Sequence, residues 1–171
     1  GNLELRSSSE SFNYEGFNNN IAYGDIRGGS NVSGVVGFLD VNGANFTMQY
    51  CVNTAQVVGS GHVGGVLAHV YQNNNAPTIQ YCANFGNISA TATDADSNVG
   101  GIVGFAKLKP MKIYYCTNHG NITASGAYKG IGGVAGEVGH NTGTVSCKDN
   151  AYVKYCANFG NISGNYAESY V

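Results

Sequence analysis

Tryptophan is absent from this sequence, proline occurs twice, and only 11% of the residues are charged. Each shortage excludes something. With a formal net charge of -2 there is no basic field to draw nucleic acid or an anionic membrane. No apolar run approaches the roughly 18 residues of a spanning helix, and no segment sustains a helical period. No Gly-x-Ser-x-Gly elbow, His-Glu-x-x-His pair or phosphate loop occurs. Glycine, by contrast, supplies 26 of the 171 residues, amid abundant Asn, Ser and Thr. A 43% hydrophobic share at low charge argues against disorder, and the length fits one domain with a core. The composition is that of a turn-rich all-β protein.

What fills the chain is repetition. Tyr81-Cys82-Ala83-Asn84-Phe85-Gly86-Asn87-Ile88-Ser89 returns nearly unchanged from Tyr155 to Ser163, and more loosely from Tyr115 to Thr123. A weaker copy begins at Tyr50-Cys51-Val52-Asn53 and a degenerate one runs from Asn19 to Ile26. A second motif alternates with the first: Val32-Ser33-Gly34-Val35-Val36-Gly37, Val63-Gly64-Gly65-Val66-Leu67-Ala68, Val99-Gly100-Gly101-Ile102-Val103-Gly104 and Ile131-Gly132-Gly133-Val134-Ala135-Gly136. From Asn20 through Cys51, Cys82 and Cys116 to Cys156 the periods are 31, 31, 34 and 40 residues, in the range of stacked structural repeats. A constant core with a variable period assigns the insertions, 71–77, 90–98 and 137–150, to loops.

Each repeat offers three short pieces rich in Val, Ile, Thr and Tyr and bounded by Gly and Asn, which are strand signals. Three strands per repeat predict an all-β fold, a β-solenoid of about four to five coils stacked about 4.8 Å apart. The general preference of parallel crossovers makes a right-handed parallel β-helix the expected winding. A sandwich or propeller of the same strands is the rival. Residues 1–18 carry no clear repeat and are expected to be an N-terminal cap or the remnant of a preceding segment, with the solenoid repeats in 19–171. Gly1 is not an initiator methionine and no signal segment follows it, so the start is expected to be a processing boundary within a longer chain.

The alternation of Gly-Gly-(Val/Ile)-x-Gly with Cys-x-Asn-x-Gly-Asn-Ile-(Ser/Thr), over roughly residues 19 to 164, resembles the GLUG-motif repeats of bacterial surface proteins, including some immunoglobulin A protease precursors. Ser33, Ala55 and Asn20 depart from the pattern where the first glycine of a pair, the turn glycine and the cysteine belong. The resemblance implies an extracellular or cell-surface location more than a chemistry.

Stacking turns each motif position into a row. Asn53, Asn84, Asn118 and Asn158 are expected to form an amide ladder, and Gly24, Gly86, Gly120 and Gly160 to supply turns at positive φ. Cys51, Cys82, Cys116 and Cys156 lie too far apart in sequence for a zinc set with its closely spaced ligand pairs. A coil spacing near 4.8 Å also strains a disulfide. These are therefore expected to be buried thiols and no metal is expected, with Cys147 the odd one out. Tyr50, Tyr81, Tyr115 and Tyr155, with Phe85, His119 and Phe159 nearby, form an aromatic row suited to stacking on sugar rings if it faces solvent. Strict alternation places the tyrosines with Met48, Ile79, Ile113 and Val153, and the cysteines with Gln49, Gln80, Tyr114 and Lys154. Either the tyrosines lie inside, or a bend shifts the phase. The burial habit of cysteine favours the bend.

The remaining motifs are thinner. Asn31, Asn45, Asn87, Asn121 and Asn161 open glycosylation triplets, three of them explained by the repeat itself. Asp94 to Asn98 begins like a calcium loop, but Val99 and Phe105 occupy the glycine and glutamate places. Catalysis on a β-helix would need converging carboxylates or a carboxylate with a cation, and here the acids are scattered. Glu137, His140 and Lys148 are the best catalytic grouping, followed by Asp94 with Asp96. The expected function is a non-catalytic extracellular module without cofactors. Glycans or host or microbial surface proteins are the expected partners, and Tyr50, Tyr81, Tyr115, Tyr155, Phe85 and Phe159 the binding residues. A structural spacer and a polysaccharide lyase or hydrolase fragment are the alternatives.

Overall fold

The computed structural model describes residues 2–6, 13–42, 45–72, 77–107, 111–140 and 151–164. Every regular element among them is a β-strand, and every strand pair is parallel. The chain is a β-solenoid. Its first sheet stacks Asn2–Arg6, Val36–Asn42, Leu67–Gln72, Val103–Lys107 and Ala135–His140. The second stacks Asn13–Asn18, Asn45–Gln49, Thr78–Gln80, Lys112–Tyr114 and Tyr152–Lys154. The third is a file of two-residue strands, Ile21–Ala22, Val52–Asn53, Ala83–Asn84, Thr117–Asn118 and Ala157–Asn158. The fourth has seven strands, the longest being Ile88–Gly100 and Ile122–Gly132.

Each winding therefore has four sides where the repeat predicts three. Three of the five layers in the first three sheets have a neighbour on both faces, so fully enclosed turns are slightly fewer than the four or five coils expected. Asn2–Arg6 pairs in register with the next winding and Asn13–Asn18 pairs with one register shift between Glu15 and Phe17, continuing the first and second sheets at their N-terminal edge.

Register is motif on motif, and that builds the core. Leu39, Val70, Ala106 and Val138 are successive partners in the first sheet, and Met48, Ile79, Ile113 and Val153 in the second. Val57, Ile88, Ile122 and Ile162 make the same kind of row in the fourth. Two apolar clusters result, one between the first and second sheets with the cysteines, the other along the fourth sheet.

One insertion is not the loop its length suggests. Residues 90–98 lie inside the continuous strand Ile88–Gly100, which follows Ile122–Gly132 with register shifts between Ala92 and Asn98. Glu137 and His140 likewise belong to the strand Ala135–His140. Lys148 and Cys147 lie outside the described residues.

Candidate binding surface

The phase conflict between tyrosine and cysteine is resolved at the corner between the second and third sheets. Tyr50, Tyr81, Tyr115 and Tyr155 all have positive φ, between 52° and 57°. A left-handed residue lets two successive side chains point outward, so Gln80 and Tyr81 both leave the core and Cys82 enters it. The bend is present, with cysteines inside. Each thiol then donates across its tyrosine to the carbonyl two residues back: Cys51 to Gln49 at 3.5 Å, Cys82 to Gln80 at 3.3 Å, Cys116 to Tyr114 at 3.2 Å and Cys156 to Lys154 at 3.3 Å. All four are thiols, none of them in a disulfide. Thiol hydrogen bonds from its neighbours, with burial, hold Cys116 well above the usual range, whereas the hydrogen bond from Cys116 brings the half-buried Cys156 down to about 7.

The glycine expectation needs correction. Positive φ occurs at Gly24, but not at Gly86, Gly120 or Gly160. Those three glycines answer close approach instead: a Cβ on Gly120 would be driven into the carbonyl of Gly86, and one on Gly160 into that of Gly120.

The Asn ladder forms as expected. Nδ2 of Asn53 donates to Oδ1 of Asn84 at 2.7 Å, Asn84 to Asn118 at 2.6 Å and Asn118 to Asn158 at 2.7 Å. The other amide hydrogen of each returns to its own turn, as from Asn118 to the Gly120 carbonyl at 2.9 Å. Asn87, Asn121 and Asn161 make a second ladder outside, where each side-chain oxygen accepts the backbone N–H of the next coil's asparagine at 3.0 and 2.9 Å.

Outside, the tyrosines stack into a continuous file: Tyr50 on Tyr81 at 5.3 Å between ring centroids, Tyr81 on Tyr115 at 5.1 Å and Tyr115 on Tyr155 at 4.9 Å, all within 10° of parallel. Tyr81, in mid-file, keeps 44% of its surface exposed. Phe85, His119 and Phe159 form a parallel file at 4.6 and 4.8 Å. The sequence thus locates both files, but not how their rings lie. Ring faces are turned on one another, leaving edges and phenol hydroxyls for a ligand instead of the open faces expected.

A second cluster was not legible in the motifs. On the outer surface of the first sheet, Phe38, His69, Phe105 and Glu137 are successive partners. His62 packs on Phe105 at 4.5 Å and on His69 at 4.7 Å, and Nδ1 of His69 lies 3.2 Å from Oδ1 of Asn31. Burial, then His62 and Lys107, push His69 down to about 3, so it is neutral. Lys129 pairs with Glu137 at 3.5 Å. His69 sits where the neighbouring repeats carry Phe38 and Phe105, a signal that aligning the first-sheet strands would have exposed; His62 has no such signal.

Asp96 is exposed, and its carbonyl accepts from Asn98 at 3.0 Å. Among the described residues no three His, Cys, Asp or Glu side chains are grouped to hold a metal ion, and no helix is long and apolar enough to cross a membrane. No family model, curated protein or solved structure matches the chain.

Proposed function

We propose that this chain is a non-catalytic, extracellular repeat module of a bacterial surface protein that displays its surface for adhesion to glycans or proteins. The location follows from the resemblance to GLUG-motif repeats and from the low charge. The observation that carries the rest is the pair of solvent-exposed aromatic files on a scaffold held by a buried amide ladder. Exposed aromatic rows are the surface most suited to binding on this rod, since aromatic side chains supply large contact area with little rotamer entropy to lose. Two ionisable groups of the first sheet have structural partners: Glu137 pairs with Lys129, and His69 is neutral beside Asn31.

Arrays of glycans and surface proteins probed with the whole chain test the reading. Saturable binding is expected, weakened at least tenfold by Tyr81→Ala or Tyr115→Ala with the circular dichroism unchanged. Absence of binding to every arrayed ligand would leave the spacer reading. Polysaccharide cleavage lost in Glu137→Ala would replace both with catalysis.

A further inference from the structure

Between the two aromatic files runs a strip of small side chains. From Tyr81 to Phe85 the residue between the buried Cys82 and Asn84 is Ala83, and from Tyr115 to His119 it is Thr117, both half-buried. Val52 and Ala157 continue this row in register along the third sheet. The tyrosine rail repeats once per coil at 4.9 to 5.3 Å over four coils, and the rail of Phe85, His119 and Phe159 at 4.6 and 4.8 Å over three, Thr54 taking its place in the Tyr50 winding.

Three features limit what fits. Neither rail nor the row between them contains Asp, Glu, Lys or Arg, so apart from the imidazole of His119 no ionisable side chain of those types lies there to compensate a charged ligand. Ring edges carry the positive end of the aromatic quadrupole, and phenol hydroxyls both donate and accept, so the rails favour oxygen-rich partners. The repeat along the axis sets the third. An extended peptide advances about 3.3 Å per residue, so it returns to step only once in about three residues, every second coil, and cannot offer one equivalent unit to each coil. An extended β-1,4-linked pyranose chain advances by nearly one coil per ring, while its α-1,4-linked counterpart coils away from a straight rail.

We propose that the strip binds a neutral, extended β-linked polysaccharide lying along the solenoid axis, with one sugar ring per coil. This rests on the reading of the chain as a display module. Successive sugars then meet equivalent phenols, and four stacked tyrosines make a site about four sugars long.

Calorimetric titration of the whole chain with cello-, chito- and manno-oligosaccharides of increasing length, against malto-oligosaccharides of equal length, tests it. Affinity is expected to rise with each β-linked unit up to about four and then level off, with the α-linked series at least tenfold weaker. Thr117→Arg, which places a cation on the strip, is expected to weaken binding at least tenfold. Thr91→Arg, on the exposed outer surface of the fourth sheet, leaves it unchanged. Circular dichroism verifies that both variants fold. Equal affinity for the two linkages, no length dependence, tighter binding of a polyuronate, or indifference to Thr117→Arg would overturn the proposal while leaving display intact. Silence of all three β-linked series overturns it too, and silence of every glycan and protein in the arrays overturns the display reading with it.

Discussion

The choice of tyrosine at a left-handed corner sets two residue-scale effects against each other. Holding a non-glycine residue at positive φ costs on the order of 1–3 kcal/mol, and Tyr81 sits at φ 54°. Against this, its ring stacks on both Tyr50 and Tyr115, and such pairs contribute roughly 0.5–1.5 kcal/mol each. Tyr81→Gly removes both terms, so urea denaturation should show a change within about 1 kcal/mol of zero. Tyr81→Val loses the stack and leaves a β-branched residue where it is least tolerated, so it should be at least about 2 kcal/mol less stable than Tyr81→Gly. Near-equal stability of the two would show that the corner does not depend on the left-handed conformation. The corner was half legible in the sequence. The clash between alternation and cysteine burial announces a bend, but positive φ is expected of glycine or asparagine, so nothing in the motif marks the tyrosine as the left-handed residue.

At the scale of elements, the strict alternation of the two motifs has a physical cause. The second glycine of each pair lies against a ladder asparagine: Gly34 against Asn53, Gly65 against Asn84, Gly101 against Asn118 and Gly133 against Asn158. Neither motif packs without the other. A Cβ on Gly101 would be driven into the Gly133 carbonyl and would press on Asn118, both backbone and buried network, whereas nothing lies within 4 Å of one on Gly29. Gly101→Ala should therefore cost more than about 3 kcal/mol or prevent folding, and Gly29→Ala should stay within about 0.5 kcal/mol, by thermal or urea denaturation. The first sheet adds a pH dependence. His69 titrates near 6.5 when unfolded and at about 3 when folded, so between those values the unfolded chain binds the extra proton. The stability it confers is whole above pH 6.5 and is lost progressively as the pH falls toward 3. By pH 4.5 the loss should approach about 3 kcal/mol, and His69→Phe should abolish that part of the slope. An equal slope in the variant would place the titration elsewhere. None of this was legible from the motifs, because the histidines fall where repeats differ, as do residues 90–98, whose strand is held by Ile122–Gly132 and not by any periodicity of its own.

For the whole molecule, a stack in which each winding touches only its neighbours makes stability a sum of local terms, and the cysteine file samples that sum at four heights. Cys156 is half-buried in the last described winding and its thiol is lowered to about 7 by Cys116, whereas Cys51, Cys82 and Cys116 are fully buried. Reactivity follows the exposed thiolate, so a neutral disulfide reagent should modify Cys156 first, with a rate that rises through pH 7. The others wait on opening of the coils above or below them. Cys51 adjoins the degenerate winding in which Asn20 and Ala22 replace the ladder residues and Asn20 reaches its sulfur only at 3.9 Å. Cys82 and Cys116 have a cysteine on either side. With Cys147→Ser to remove the fifth thiol, mass spectrometry of pulse-labelled protein should therefore rank them Cys156, then Cys51, with Cys82 and Cys116 last. A single rate for the buried three would mean that the windings open together, and immediate labelling of all four would contradict the inward turn of the file that the left-handed tyrosines impose.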